Sequence, residues 1–143
     1  MKRKINYVLL VDDNDSDNFL HKRVIEKAGI TDHIEIAEND KDALDFIVNR
    51  GENENHLSVF SKPELIFLDI NMPIMDGWEF LQEYEKLDEI KNGKTVIVIL
   101  TTSVNPVDKT RAEDLLEPGC FQYKPLTLKM INEILQLHFP DYL

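Results

Sequence analysis

The sequence predicts an α/β protein built on one doubly wound sheet of five parallel strands, with helices on both faces. Two observations predict this fold class. Short apolar runs rich in β-branched residues alternate along the whole chain with segments that have a helical spacing of apolar residues. Two of the runs, Leu65–Leu68 and Val96–Leu100, are apolar throughout, which is typical of parallel strands that are covered on both faces. Right-handed crossovers then limit the topology to a doubly wound sheet.

In chain order, the predicted elements alternate between strand and helix. The strands are Ile5–Val11, His33–Ala37, Leu65–Leu68, Val96–Leu100 and Cys120–Tyr123. The helices are Ser16–Ala28, Asp40–Val48, a segment that begins just after Asp76-Gly77, Pro106–Leu116 and Leu126–Phe139. The polar connection 49–63, between the second helix and the third strand, is predicted to be an extended loop or a frayed helix end.

Apolar spacing and end signals justify the helices. The first ends at Gly29, and the fourth begins with Pro106 and ends before Pro118-Gly119. The apolar residues that mark the first, second, third and fifth helices are, in that order, Phe19, Leu20, Val24, Ile25 and Ala28; Ala43, Leu44, Ile47 and Val48; Trp78, Leu81 and Tyr84; and Leu128, Ile131, Ile134, Leu135 and Leu137.

Length and composition restrict the possible functions. The 143 residues are expected to form one domain, 1–143, with no room for an output domain. The formal net charge of −11 makes general binding to nucleic acid or to anionic membranes unfavourable. One cysteine excludes an internal disulfide, and the basic start runs too soon into acids to be a signal peptide or a membrane span. These features predict a cytoplasmic domain.

Acidic residues follow two of the predicted strands. Asp12 and Asp13 come after the first strand, and Asp69 follows the third. In a doubly wound sheet, ligands bind outside the carboxyl ends of the strands at the point where strand order reverses. Three carboxylates converging there repel one another unless a cation lies between them, and Mg²⁺ favours such oxygen ligands. Taken singly, each aspartate is more simply interpreted as a cap of the helix that follows it, but the convergence of three weakens that interpretation.

Two further polar residues lie at strand ends. Thr101 ends the fourth strand, and Lys124 ends the fifth, just before Pro125. A hydroxyl and an ammonium group on the same rim supply hydrogen-bond donors for anionic oxygens. Alone, Thr101 is more simply a helix cap and Lys124 a solvated charge, but their combination with the acids favours a shared site.

Together these motifs resemble the receiver domain of two-component response regulators. The resemblance rests on Asp12-Asp13 after an apolar strand, the segment from Asp69 to Gly77 (Asp-Ile-Asn-Met-Pro-Ile-Met-Asp-Gly), Leu100-Thr101 and Lys124-Pro125, and it extends from about Tyr7 to Leu137. It implies a stand-alone receiver with a flavodoxin-like sheet of order 2-1-3-4-5. Such a protein is a signalling module that assists its own phosphorylation and is not otherwise an enzyme.

The resemblance also implies a role for each acidic residue. Asp69 would accept a phosphoryl group from a histidine kinase or a histidine phosphotransfer protein. Asp13, Asp69 and the backbone carbonyl of Asn71 would bind Mg²⁺, and Asp12 would act mainly through metal-bound water. A carboxylate is a competent nucleophile towards phosphorus, so these roles are chemically consistent.

The remaining motif residues imply a switch. Thr101 and Lys124 would contact the phosphoryl oxygens, and Phe121 stands where the family has a rotating aromatic residue, more often tyrosine. Output is expected through the face formed by the fourth helix, the fifth strand and the fifth helix, by dimerisation or by binding an unknown downstream partner. The apolar tail, Phe139 to Leu143, would either contribute to this face or pack on its own domain.

Other functions fit the residues less well. An aspartate-nucleophile phosphatase needs a second acid two residues after the nucleophile, where Asn71 stands. A flavodoxin-type flavin site needs a phosphate cradle, but the first loop, Asp12 to Asp15, would repel phosphate. The glycines are too dispersed for a P-loop or a dinucleotide site. A pseudo-receiver that binds partners without phosphorylation stays open, although the intact motif residues argue against it.

Overall fold

Five parallel strands form one sheet in the order β2-β1-β3-β4-β5, in a computed structural model that describes residues 4–39, 41–44, 63–71, 76–90 and 95–142. The strands are β1 (Val8–Val11), β2 (Ile34–Ala37), β3 (Leu65–Leu68), β4 (Val96–Thr101) and β5 (Phe121–Tyr123). The pairs β1–β2, β1–β3, β3–β4 and β4–β5 are all parallel. The predicted fold class and strand order are therefore confirmed.

The helices begin at residues with capping side chains. They are α1 (Asp15–Ala28), α2 (the helical residues 41–44), α3 (Gly77–Ile90), α4 (Pro106–Leu115) and α5 (Leu128–His138). The side chains of Asn14, Asn105 and Thr127 accept backbone N–H groups at the starts of α1, α4 and α5. Among the described residues, none of the helices combines the length and the apolar character needed to cross a bilayer.

Apolar side chains cover both faces of the sheet and form two clusters. On one face of the sheet, strand residues pack on α1 and α5 through Ile25, Ile131 and Ile134. On the other face, strand residues pack on α3 through Trp78 and Phe80. Because β1, β3 and β4 are buried on both faces, the carboxyl edge of the sheet is the natural place for a ligand site.

The predicted apolar stripe of α1 was wrong in part. Phe19 and Leu20 are 60% and 53% exposed, whereas Asn18, His21 and Ile25 are buried. The Asn18 amide donates to the backbone carbonyl of Asp12 at 2.9 Å, which anchors the first turns of α1 to the end of β1. Hydrogen bonding at the carboxyl edge, rather than apolar burial, therefore sets the phase of the helix there.

Several predicted element ends shift by one to three residues in the structure. Ile5 lies outside β1 and forms an isolated bridge with Thr31, and α5 begins at Leu128 because Thr127 caps it. The bounds of β2, β4, β5, α1 and α4 differ by one residue from prediction. Most of the predicted second helix and of connection 49–63 lies outside the described residues.

The described part of the C-terminal tail, 139–142, packs on its own domain. Phe139 is 4% exposed and contacts the Tyr142 ring at 5.0 Å between centroids. The Tyr142 hydroxyl donates to Glu64 Oε2 at 2.6 Å, just before β3 begins. The second Glu64 oxygen accepts the Asn6 amide at 2.7 Å. Of the two alternatives for the tail, packing on the domain is the one found.

Candidate functional site

Asp12, Asp13 and Asp69 meet at the carboxyl edge of the sheet. Asp12 follows β1 and Asp69 follows β3, and the Asp69 amide donates to the Val11 carbonyl at 3.0 Å, which continues the pairing of these neighbouring strands. One carboxylate oxygen from each acid lies within 4.8 Å of the others. Asp12 and Asp69 are buried, while Asp13 is exposed. The sequence prediction that these acids converge is confirmed.

The electrostatics of this cluster favour a bound cation. Burial raises the pKa of the Asp12 carboxyl, and the nearby Asp69 charge adds to this, although hydrogen bonds from Lys124 and the Asn14 amide act in the opposite direction. Two buried carboxylates and one exposed carboxylate offer oxygen ligands, which suit a hard divalent ion that keeps part of its water shell. The donor set therefore suits Mg²⁺.

Lys124 brings a positive charge into the same crevice. Its ammonium nitrogen lies 2.6 Å from Asp12 Oδ2, 2.8 Å from Asp17 Oδ2 and 3.3 Å from Asp69 Oδ2. Burial disfavours the charged lysine, but the hydrogen bonds to Asp12 and Asp17 and the charge of Asp69 outweigh it and raise the pKa of Lys124. The ammonium group is therefore firmly protonated and sits between three carboxylates.

Asp69 accepts hydrogen bonds at both of its oxygens. The Thr101 hydroxyl donates to Oδ1 at 3.3 Å, and the Asn71 backbone amide donates to the same oxygen at 3.1 Å. Lys124 donates to Oδ2. Thr101 is completely buried at the end of β4, as its predicted position requires. Asp69 is thus the carboxylate on which all the predicted donors converge.

Gly77 places α3 directly behind this site. A Cβ atom at Gly77 would lie 2.6 Å from the Ile70 Cα atom, which is too close for any side chain. The Gly77 amide donates to the Ile70 carbonyl at 3.2 Å, which holds the start of α3 beside the residue after Asp69. Gly77 of the motif therefore has a steric explanation, whereas Asp76 accepts the Glu79 amide at 3.0 Å at the start of α3.

Sequence reasoning missed a series of hydrogen bonds between polar groups that leads away from Asp69. The Ser103 amide donates to Thr101 Oγ1 at 3.1 Å, and the Ser103 hydroxyl donates to Asp108 Oδ2 at 2.5 Å. The Trp78 indole donates to Asp108 Oδ1 at 3.3 Å. Arg111 covers the Trp78 ring, with its guanidinium carbon 4.6 Å from the ring centroid. No periodic pattern indicates these hydrogen bonds, because the residues that form them lie in β4, in a loop and in two helices.

The predicted switch residue Phe121 is half-buried in β5. Its ring meets the Tyr123 ring edge-to-face at 5.4 Å, and Tyr123 is 45% exposed. Cys120, just before β5, is a buried core residue, and burial raises the pKa of its thiol to about 12. A switch role for Phe121 stays a prediction.

The amino-acid sequence matches a known family. The sequence model described as "Response regulator receiver domain" matches residues 8–136. The chain belongs to the response regulator receiver domain family. Receiver domains are generally non-catalytic signalling modules of two-component systems, which bind Mg²⁺ at an acidic cluster and interact with histidine kinases and phosphotransfer proteins.

Individual relatives agree with this assignment over nearly the full receiver domain. Response regulator Rcp1 of Synechocystis is 32% identical over 129 residues, which cover 90% of this chain and 83% of Rcp1. A two-component response regulator from Cytophaga hutchinsonii has a TM-score of 0.77 and 30% identity, with 94% and 96% of the two chains covered. The phosphorylated cyanobacterial phytochrome response regulator RcpA has a TM-score of 0.68 and 27% identity, with 94% and 89% covered.

Proposed function

We propose that residues 1–143 act as a receiver that accepts a phosphoryl group on Asp69 from a histidine kinase or a histidine phosphotransfer protein. The supporting observation is the convergence of donors on one buried carboxylate. Thr101 and the Asn71 amide contact one Asp69 oxygen, and Lys124 contacts the other. The relative RcpA is described as phosphorylated, which agrees with the proposal.

In this proposal, an Asp69 oxygen attacks the phosphorus of the donor and forms an acyl phosphate, while the bond from phosphorus to the donor's leaving group breaks. The developing charge spreads over the equatorial phosphoryl oxygens. Lys124 and Thr101 are placed to bind two of those oxygens, since both already donate to Asp69. The chain therefore contributes mainly positioning and electrostatic stabilisation.

The proposed cofactor is Mg²⁺, held by Asp12, Asp13, Asp69 and the backbone carbonyl of Asn71, with Asp12 acting mainly through water. The fit rests on the carboxylate oxygens of the three acids, which approach within 4.8 Å of one another. When bound, Mg²⁺ would neutralise both the acidic cluster and the phosphoryl oxygens. This chain's own contribution is to hold the acids on two adjacent strand ends.

The proposed output is altered protein–protein contact at the face formed by α4, β5 and α5, in a cytoplasmic protein. This face presents exposed apolar side chains, Val107, Tyr123 and Leu128. Phosphorylation would draw Thr101 towards the phosphoryl group and let Phe121 turn inward, which would displace the Tyr123 ring that packs on it. A homodimer or a downstream protein would then recognise the changed face.

Phosphorylation at Asp69 can be tested with a small-molecule donor. Acetyl phosphate and Mg²⁺ should add one phosphoryl group, detected by intact mass, to the wild type and to Asp15→Asn. The matched variant Asp69→Asn should remain unmodified. Equal labelling of Asp69→Asn would overturn the assignment, and an unlabelled wild type would favour a pseudo-receiver.

A further inference from the structure

One of the acids that hold Lys124 lies outside the proposed metal site. Asp17 is in the first turn of α1, and its Oδ2 lies 2.8 Å from the Lys124 ammonium nitrogen. The acids that approach one another closely enough to share a cation are Asp12, Asp13 and Asp69, and Asp17 does not belong to that group. Its contact with Lys124 is therefore a separate feature of the crevice.

The ammonium group is shared unequally among its acidic partners. Its contacts with Asp12 (2.6 Å) and Asp17 (2.8 Å) are shorter than its contact with Asp69 (3.3 Å). A lysine ammonium group has three N–H donors, and these three carboxylates can engage all of them. Lys124 can therefore bind a phosphoryl oxygen fully only if it weakens one of the existing contacts.

Cation binding makes Asp17 the principal competitor. A divalent ion held by Asp12, Asp13 and Asp69 would compensate their charges, whereas Asp17 lies outside this group of acids. The Asp17 side chain is 30% exposed and that of Lys124 is only 8% exposed, so their attraction is weakly screened at the lysine. After metal binding, Asp17 remains as a full negative charge that draws the ammonium group towards α1.

We propose that Asp17 is a positioning residue that competes with the phosphoryl group for Lys124 and thereby lowers the affinity of the receiver for phosphoryl groups. The inference rests on the proposed function, because it concerns the lysine that would bind the phosphoryl oxygens. A residue of α1 would then directly influence how tightly the site binds a phosphoryl group.

The first test measures the dissociation constant of beryllofluoride, a phosphoryl mimic, at saturating Mg²⁺. Asp17→Asn should bind it about threefold to tenfold more tightly than the wild type, since it loses a partly buried competing charge. Asp17→Glu should stay close to the wild type because it keeps the charge. The control Asp15→Asn removes the same charge from an exposed position in the same turn, and should change the constant by much less.

A double-mutant cycle separates competition from simple repulsion of the anion. In a Lys124→Met background, Asp17→Asn should no longer change the affinity, because the effect acts through the lysine. A persistent effect there, or equal effects of Asp15→Asn and Asp17→Asn in the wild-type background, would overturn the inference. Loss of affinity in Asp17→Asn would also overturn it, because a merely structural role predicts loss.

A metal-free measurement tests the contact itself. In protein with isotope-labelled lysine side chains, the Lys124 ammonium signal, assigned by its absence from Lys124→Met, should shift in Asp17→Asn and not in Asp15→Asn. An unchanged signal in Asp17→Asn would contradict the inference. A wild type that binds no beryllofluoride and gains no phosphoryl group would instead overturn the proposed function, while this signal would still report on the Asp17 contact.

Discussion

The Trp78 indole donates a hydrogen bond to Asp108 Oδ1 at 3.3 Å and so joins α3 to α4. The other Asp108 oxygen accepts the Ser103 hydroxyl, and the Ser103 amide donates to Thr101. A displacement of Thr101 towards a phosphoryl group would therefore be transmitted to the surroundings of the indole. This connection makes the only tryptophan of the chain a reporter of the site.

We predict that beryllofluoride with Mg²⁺ changes the fluorescence of Trp78, and that Ser103→Ala reduces the change by about half or more. The physical reason is that the variant loses the bond from Ser103 to Asp108 while Thr101 stays intact. Emission spectra recorded during titration provide the measurement. Thr102→Ala, at the exposed neighbouring position, is the control and should respond as the wild type does. An undiminished fluorescence change in Ser103→Ala would show that the hydrogen bond from Ser103 to Asp108 does not transmit the displacement of Thr101 to Trp78.

Asp13→Asn should make the metal-free protein more stable. Removing one of three crowded negative charges relieves repulsion, so the melting temperature should rise by about 1–3 °C. The same variant should lose the stabilisation that Mg²⁺ gives the wild type, since a ligand stabilises only the state that binds it. Thermal denaturation with and without Mg²⁺ measures both effects. If Mg²⁺ stabilises Asp13→Asn as much as the wild type, Asp13 is not part of the metal site.

The strand-end site could be predicted because two simple rules act together. Apolar runs locate the strands, and parallel strands bring their carboxyl ends to one edge. Asp12, Asp69 and Thr101 follow or end buried strands, so their convergence needs no knowledge of side-chain geometry. The same reasoning correctly placed helices on both faces of the sheet.

The phase of α1 could not be predicted in this way. Phe19 and Leu20 suggested the inward face, but Asn18 and His21 occupy it. Apolar periodicity assumes that the inward face is apolar, and this fails where a helix begins beside a polar site. The contact between Asp17 and Lys124 was missed for a different reason, since it joins α1 to the residue after β5 and no apolar spacing indicates such a contact.

The wild type should lose stability on acidification partly because of His21. Burial lowers the pKa of this histidine below its ordinary value of 6.5, and the charge of Lys124 also lowers it, while Asp17 and Asp69 act in the opposite direction. Since the unfolded chain then binds more protons than the folded one, stability should fall as the pH drops below 6.5 towards the folded-state pKa. Urea unfolding of the metal-free protein across this pH range measures the slope. His21→Gln should flatten it, and an identical slope in the variant would exclude His21 as a cause.

Tyr142→Phe should destabilise the domain by about 1–2 kcal/mol, because it removes a hydrogen bond donated to a carboxylate. The lost bond is the 2.6 Å contact with Glu64, while the ring contact with Phe139 is kept. Urea unfolding measures the loss. Because the tail packs on its own domain, the association state should not change. A stability equal to that of the wild type would show that the hydroxyl does not hold the tail.

Activation should promote self-association through Tyr123. This residue is 45% exposed on β5 and contacts Phe121, so a turn of the Phe121 ring would alter its position. We expect beryllofluoride with Mg²⁺ to strengthen dimerisation by about tenfold or more, a coupling typical of two-state switches. Light scattering over a concentration series gives the dimer dissociation constant in both states.

Tyr123→Ser should abolish most of that gain, since tyrosines at the centre of interfaces frequently dominate binding. Phe19→Ser is the matched control, because Phe19 is an exposed aromatic residue of α1 and lies outside the α4, β5 and α5 face. Thermal denaturation of both variants would establish that they are folded. A dimer weakened by Phe19→Ser but not by Tyr123→Ser would place the interface on α1. If beryllofluoride leaves the wild type monomeric, then a separate protein, rather than a second copy, reads the activated face.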